Sequence, residues 1–174
     1  MPATGKTTIA RSLSEQLDMP VIAKDTIKEF LFDTLGVKDR DWSRLLGGAS
    51  SDVLYLLADA LLSSGQSIIM ESAFERKFAR PQLKMLIQTY HPLVTEIYCT
   101  TEQTVRRKRF MERNQSGKRH AGHLDHTNYL ADTDEESTEK FSPLKFPAAQ
   151  YIELDTTDPQ SIDIDTLISR LASS

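Results

Sequence analysis

Short apolar runs of strand length alternate along this chain with longer segments of helical spacing. Ile9, Ala10, Leu13 and Leu17 mark a first helix that starts near Gly5. Met19-Pro20-Val21-Ile22-Ala23 then reads as a strand ending at Lys24-Asp25. Asp25 stands as N-cap of a helix through Thr26 and Phe32 that closes near Gly36. From Asp41 to Ser64 the pattern predicts another helix, with Leu56, Leu57, Ala60 and Leu61 as its buried side, Gly47-Gly48 as a point of interruption and Gly65 as its stop. Ser67 to Glu71 is a second strand. Arg76 to Thr89 is helical, with Pro81 marking a break or a start. Pro92 to Cys99 is a third strand, and a helix from Thr101 to about Asn114 gives way to a polar loop, Gln115 to Asp125. Asp132 to Glu139 carries five acidic side chains and reads as a solvated loop. Tyr151 to Leu154 is the last strand, and Ile162, Ile164, Leu167, Ile168 and Leu171 form a final amphipathic helix. Without repeats or a dividing linker, residues 1–174 make one domain. The alternation implies an α/β fold: a parallel sheet with helices on both faces and chemistry at the carboxyl ends of its strands.

Composition narrows the classes. A net charge of -4 argues against a general nucleic-acid binder, though not against a local basic patch. The single cysteine, Cys99, excludes an internal disulfide and a thiolate-rich zinc site, which fits a reducing cytosol. No apolar run approaches the roughly 20 residues that cross a bilayer, and no signal peptide is visible, so a cytoplasmic protein without a membrane partner is expected.

Chemistry enters at Pro2-Ala3-Thr4-Gly5-Lys6-Thr7-Thr8. In G-x-x-x-x-G-K-[ST], backbone N–H groups surround phosphates, the lysine reaches β/γ oxygens and the hydroxyl ligates magnesium. Gly5, Lys6 and Thr7 fill the last three positions, and the helix that follows points its positive end at the same anion. The pattern's first glycine would precede Met1, so a further segment of about ten residues, an apolar strand and a glycine, is expected upstream. At other strand ends stand Asp25, Glu71 and the turn Asp155-Thr156-Thr157. Asp25 is either the carboxylate that accepts a hydroxyl proton or a plain N-cap. Glu71 holds magnesium through water, orients the acceptor, or is merely the first exposed residue past a strand. Lys28 faces an anionic substrate or solvent. Arg106, Arg109 and Arg113 share one helical face, followed by Lys118 and Arg119; they form a lid over phosphates or a solvated basic face. His120, His123 and His126 recur every third residue, a spacing that suits polar lid contacts better than zinc.

With these residues in place, the chain resembles small P-loop kinases labelled AAA-domain ATP-binding proteins, near polynucleotide kinase, gluconate kinase, chloramphenicol phosphotransferase and the zeta toxins. The likeness rests on residues 2–8, Lys24 to Lys28, Ile69 to Phe74, the arginine helix and Ser116 to Asp125. It implies a three-layer P-loop NTPase of kinase type, with sheet order 2-3-1-4-5 and the upstream strand as centre, and a lid at about 101–130. It implies Asp25 as base and Asp155 and Thr156 near the adenine; many relatives have aspartate where Glu71 stands. The expected activity is transfer of the γ-phosphoryl of ATP, with Mg2+, to a hydroxyl of a small molecule, nucleotide or nucleic-acid end. Ala3, Thr4, Gly5, Lys6, Thr7 and Thr8 would bind phosphates with Arg106, Arg109 and Arg113; Thr7 and Glu71 would serve the metal; Asp25, Lys28 and Glu71 the acceptor. Residues between Asp39 and Asp52 and from Phe74 to Arg80 would select that acceptor. The alternatives are an ATP-hydrolysing switch without an acceptor and a toxin-like kinase. Neither the acceptor nor the oligomeric state follows from the residue types.

Overall fold

The computed structural model describes residues 1–117, 119–123, 139–147 and 149–172. In chain order it runs α1 (Lys6–Leu17), β1 (Val21–Ala23), α2 (Lys24–Leu35), α3 (Arg40–Ser63), β2 (Ile69–Glu71), α4 (Arg76–Tyr90), β3 (Thr95–Thr100), α5 (Gln103–Gln115), β4 (Gln150–Asp155) and α6 (Ile164–Ala172). Single 3-10 turns lie at Ala121–His123 and Pro159–Ser161.

The strands pair in parallel as two halves. Ile22 of β1 lies opposite Met70 of β2, and Ile97 of β3 opposite Ile152 of β4. These halves match the two sides of the expected order, and among the described residues no strand pairs with both. Side chains alternate across a strand, and β2 shows the consequence. Ile69 packs on the cluster of Ile9, Leu13, Cys99, Ile152 and Leu167, which α1 and α6 cover. Met70, the next residue, packs on Ile22, Leu54, Ala58 and Leu86 beneath α3 and α4. Helices therefore cover both faces of a parallel sheet.

Several expectations are corrected. The buried positions of α3 are Ser43, Leu46, Ser50, Leu54 and Ala58, each about one turn apart, whereas Leu56, Leu57 and Ala60 face outward and Leu61 is half-buried. Residues 53–62 are apolar almost all round, so residue type alone could not choose the face. The helix passes through Gly47-Gly48 unbroken. At 24 residues α3 is by length and composition apolar enough to cross a bilayer; here its stripe packs against β1 and α4. Asp25 is not an N-cap: α2 begins at Lys24, the N-cap position is Ala23, and Asp25 lies in the first turn. Pro81 lies inside α4. Lys118, His126, most of the lid tail and the acidic stretch up to residue 138 fall outside the described residues.

Candidate active site

The loop before α1 curls through two left-handed residues, Ala3 (φ 59) and Gly5 (φ 74). A side chain at Gly5 would be strained by that φ, and its Cβ would stand 3.4 Å from Thr156. Lys6 Nζ donates to the Met1 carbonyl at 2.6 Å and to Thr4 Oγ1 at 3.4 Å. Burial pushes the Lys6 pKa down, opposed by the negative charge of Glu71 and Asp25. Thr7 Oγ1 donates to Glu71 Oε2 at 3.1 Å, and Thr8 is exposed.

Glu71 is 8% exposed, which removes the reading of it as a strand residue emerging into water. Burial raises its pKa and Asp25 adds to the rise; Lys6 and the Thr7 hydrogen bond work against it. An alcohol and a buried carboxylate side by side are hard oxygen donors of the kind Mg2+ takes. That ion takes most of its shell from water and phosphate, so one or two protein oxygens suffice. Among the described residues no three His, Cys, Asp or Glu side chains cluster as a metal site of their own.

Asp25, on α2 immediately after β1, accepts a hydrogen bond from Arg119 Nη1 at 2.9 Å. Burial would raise its pKa, but the Arg119 charge and hydrogen bond, with His123 and Lys6, hold it below the usual carboxylate value. The same helix carries two more acids one turn apart. His123 Nε2 lies 2.9 Å from Glu29 Oε1, and His120 Nε2 lies 3.1 Å from Asp33 Oδ1. Phe32 stacks on the His120 ring at 5.3 Å and meets His123 edge-on at 5.9 Å. Its ring leaves no room for a side chain at Gly122, where a Cβ would come within 2.5 Å. Lys28 turns to α3, donating to Ser43 Oγ at 3.1 Å, and Ser43 donates to the Gly122 carbonyl at 3.0 Å. Residues 119–123 are thus latched along α2.

The arginine helix lies on the loop side and is not a solvated face at these positions. Arg106 is buried, with Nη1 3.1 Å from Met1 Sδ. Arg109 Nη2 donates to the carbonyls of Thr156 and Thr157 at 2.8 and 2.9 Å. The charge of Arg113 reaches Lys6 and helps to lower its pKa. At the end of β4 the Asp155 carboxylate accepts from the Thr157 hydroxyl and N–H, which lower its pKa in that order. Thr156 faces inward, its hydroxyl 3.1 Å from the Thr4 carbonyl, 2.8 Å from the Thr100 carbonyl and 2.5 Å from Thr101 Oγ1. It braces the phosphate loop from behind.

The structure therefore brings Lys6, Thr7, Asp25, Glu71 and Arg113 to one rim, with Arg106 and Thr156 packed against the loop of residues 1–5 beside it and Arg109 bonded to Thr156. Sequence reasoning missed Thr101 as a brace and Glu29 and Asp33 as lid partners. A signal for the latter existed in the acids at 25, 29 and 33, each one turn on from the last.

The family model described as AAA domain matches residues 1–132. The fold superposes with a TM-score of 0.82 on the crystal structure of a putative kinase from Chloroflexus aurantiacus J-10-fl, 30% identical, over 99% of this chain and 90% of that one. Among curated proteins nothing matches.

Proposed function

We propose, for a chain that belongs to the AAA-domain family and has a P-loop kinase fold, an ATP-dependent phosphotransferase activity on a hydroxyl, exercised in the cytoplasm. The observation that carries this reading is the meeting of Lys6 from α1, Glu71 from β2 and Asp25 from α2: Thr7, next to Lys6, donates to Glu71, and Lys6 is close enough to feel the charge of both acids. Phosphoryl transfer asks for such an arrangement: cations where charge spreads, a metal ligand pair and a carboxylate facing the acceptor.

In the proposed step the acceptor oxygen bonds to the γ-phosphorus as the bond from phosphorus to the β,γ-bridging oxygen breaks. ADP leaves, and the hydroxyl proton passes to Asp25. Loop amides and Lys6 hold the polyphosphate, and Arg113 adds positive charge beside Lys6. Thr7 and Glu71 would hold Mg2+, which when bound neutralises phosphate charge. Arg119 keeps Asp25 ionised and must yield part of its place as the acceptor enters.

That Asp25–Arg119 pair also supports a second reading, an ATP-hydrolysing switch whose acceptor side is filled by its own lid. Labelled ATP with a panel of alcohols, including nucleosides and oligonucleotide ends, separates the two: a kinase yields a phosphorylated alcohol, a switch only free phosphate. Lys6→Ala should lower turnover at least about 100-fold in either case. Unchanged turnover would remove the loop from the mechanism.

A further inference from the structure

Thr156 is 2% exposed, and its polar atoms are taken up by three other parts of the chain. Its N–H donates to the Thr100 carbonyl at the end of β3 at 2.9 Å. Its carbonyl, with that of Thr157, holds Arg109 Nη2 from α5, and Thr157 Oγ1 accepts the Glu102 N–H at the start of that helix at 3.0 Å. The Thr156 hydroxyl lies within reach of the Thr4 carbonyl, the Thr100 carbonyl and Thr101 Oγ1, yet it has one proton to give. Thr100 already receives the Thr156 N–H. Thr4 is 1% exposed, and its buried carbonyl takes its hydrogen bond from this hydroxyl. The proton therefore belongs on Thr4. Two hydroxyl oxygens 2.5 Å apart need a proton between them, so Thr101 gives its own to Thr156 rather than to the Thr100 carbonyl 2.7 Å away. The bonds run one way, from Thr101 through Thr156 to the phosphate loop. In a trans peptide the carbonyl and the next N–H share a plane and point opposite ways. Fixing the Thr4 carbonyl thus aims the Gly5 N–H away from Thr156, as a loop amide that faces phosphate requires.

We infer that Thr156 is a positioning residue for the nucleotide: its hydroxyl sets the peptide between Thr4 and Gly5, its carbonyl sets Arg109, and the grip on the polyphosphate is thereby tied to the place of an arginine on α5. The inference rests on the kinase reading and adds to it a residue that acts without meeting the ligand. Packing alone asks for less. A Cβ at Gly5 would stand 3.4 Å from both Cβ and Oγ1 of Thr156, so the loop rests on the bulk of this side chain, and valine would supply that bulk equally well. What valine lacks is the proton that orients the Thr4 carbonyl.

The test is binding of ATP with Mg2+ to the full chain, followed by titration calorimetry. Thr156→Val should weaken it at least about tenfold, whereas Thr156→Ser, which keeps the hydroxyl, should stay within about threefold of the parent. Arg109→Gln supplies a reading that a packing role would not move. It should weaken ATP at least about fivefold in the parent and less than about twofold in the Thr156→Val background, because both changes act through one residue. Should Thr156→Val not fold, Thr101→Val, which removes only the donor behind Thr156, takes its place in the cycle with a loss of at least about threefold. Parent-like binding in Thr156→Val, equal losses in Thr156→Val and Thr156→Ser, or the same Arg109→Gln factor in both backgrounds overturns the inference and leaves the kinase reading standing. A parent that binds ATP no better than Lys6→Ala overturns the kinase reading itself, and this inference with it.

Discussion

The half-exposed Asp25 carboxylate is held ionised chiefly by Arg119, and what it does can be separated from the fold. Asp25→Asn should leave ATP affinity near that of the parent and cut phosphoryl transfer by about 10²- to 10⁴-fold, the usual range for a lost general base. If affinity and turnover fall together, the side chain is structural. Its folded pKa lies below the ordinary value because of Arg119, so the ionised form persists as pH falls into the acid range. The acid limb of kcat/KM should therefore move to higher pH in Arg119→Gln, and a stationary limb would take Arg119 out of the account. Lys6 and Glu71 make a different case, because burial works against the charge of both. Removing either one leaves the other buried and less compensated. Lys6→Met and Glu71→Gln should each melt below the double variant, which should melt at or up to about 4 °C above the parent. Melting of the four proteins by circular dichroism closes this cycle; additive losses would show that the two charges do not interact.

The latch on α2 depends on helical spacing, which puts Asp25, Glu29 and Asp33 under Arg119, His123 and His120 in turn. Burial, then Arg119, lowers the His123 pKa, against the pull of Asp25 and Glu29. In the window from that lowered value up to about 6.5, the unfolded chain binds a proton that the folded chain refuses, so stability rises with pH. Stability is therefore lost on acidification below about 6.5, and His123→Gln should flatten the fall of Tm between about pH 7.5 and 5. An equally steep fall in the variant would assign the loss to other groups. This latch shows where the sequence was readable and where it was not. The phosphate loop was legible because glycine, lysine and threonine act within one turn of each other. The strands were legible because apolar runs ended at polar residues. The face of α3 was not, since its apolar residues surround the helix and only packing against β1 and α4 selects Leu54 and Ala58. Nor did sequence spacing say which helix would receive His120 and His123, or that Thr156 would turn inward. Those depend on contacts between residues 87, 94 and 152 positions apart.

At the scale of the molecule, the site joins two half-sheets that share no backbone ladder among the described residues. The β1–β2 half supplies Asp25 and Glu71 at its carboxyl end, and the β3–β4 half supplies Thr156 and the carbonyls that hold Arg109. The loop touches both, through Thr7 to Glu71 and through Thr4 to Thr156. A polyphosphate gripped by that loop would favour the one arrangement in which both contacts persist, so binding energy should appear as stability of the whole. At a ligand concentration about 100 times Kd the expected gain is about 2.7 kcal/mol, or roughly 5–10 °C in Tm for a chain of this size. Lys6→Ala should abolish the shift. Hydrogen exchange locates the effect: with ATP and Mg2+ the amides of Ile69–Glu71 and of Gln150–Asp155 should both slow. Slowing in β2 with none in β4 would mean that Thr156 braces the loop without feeling its ligand, and that the two halves respond separately.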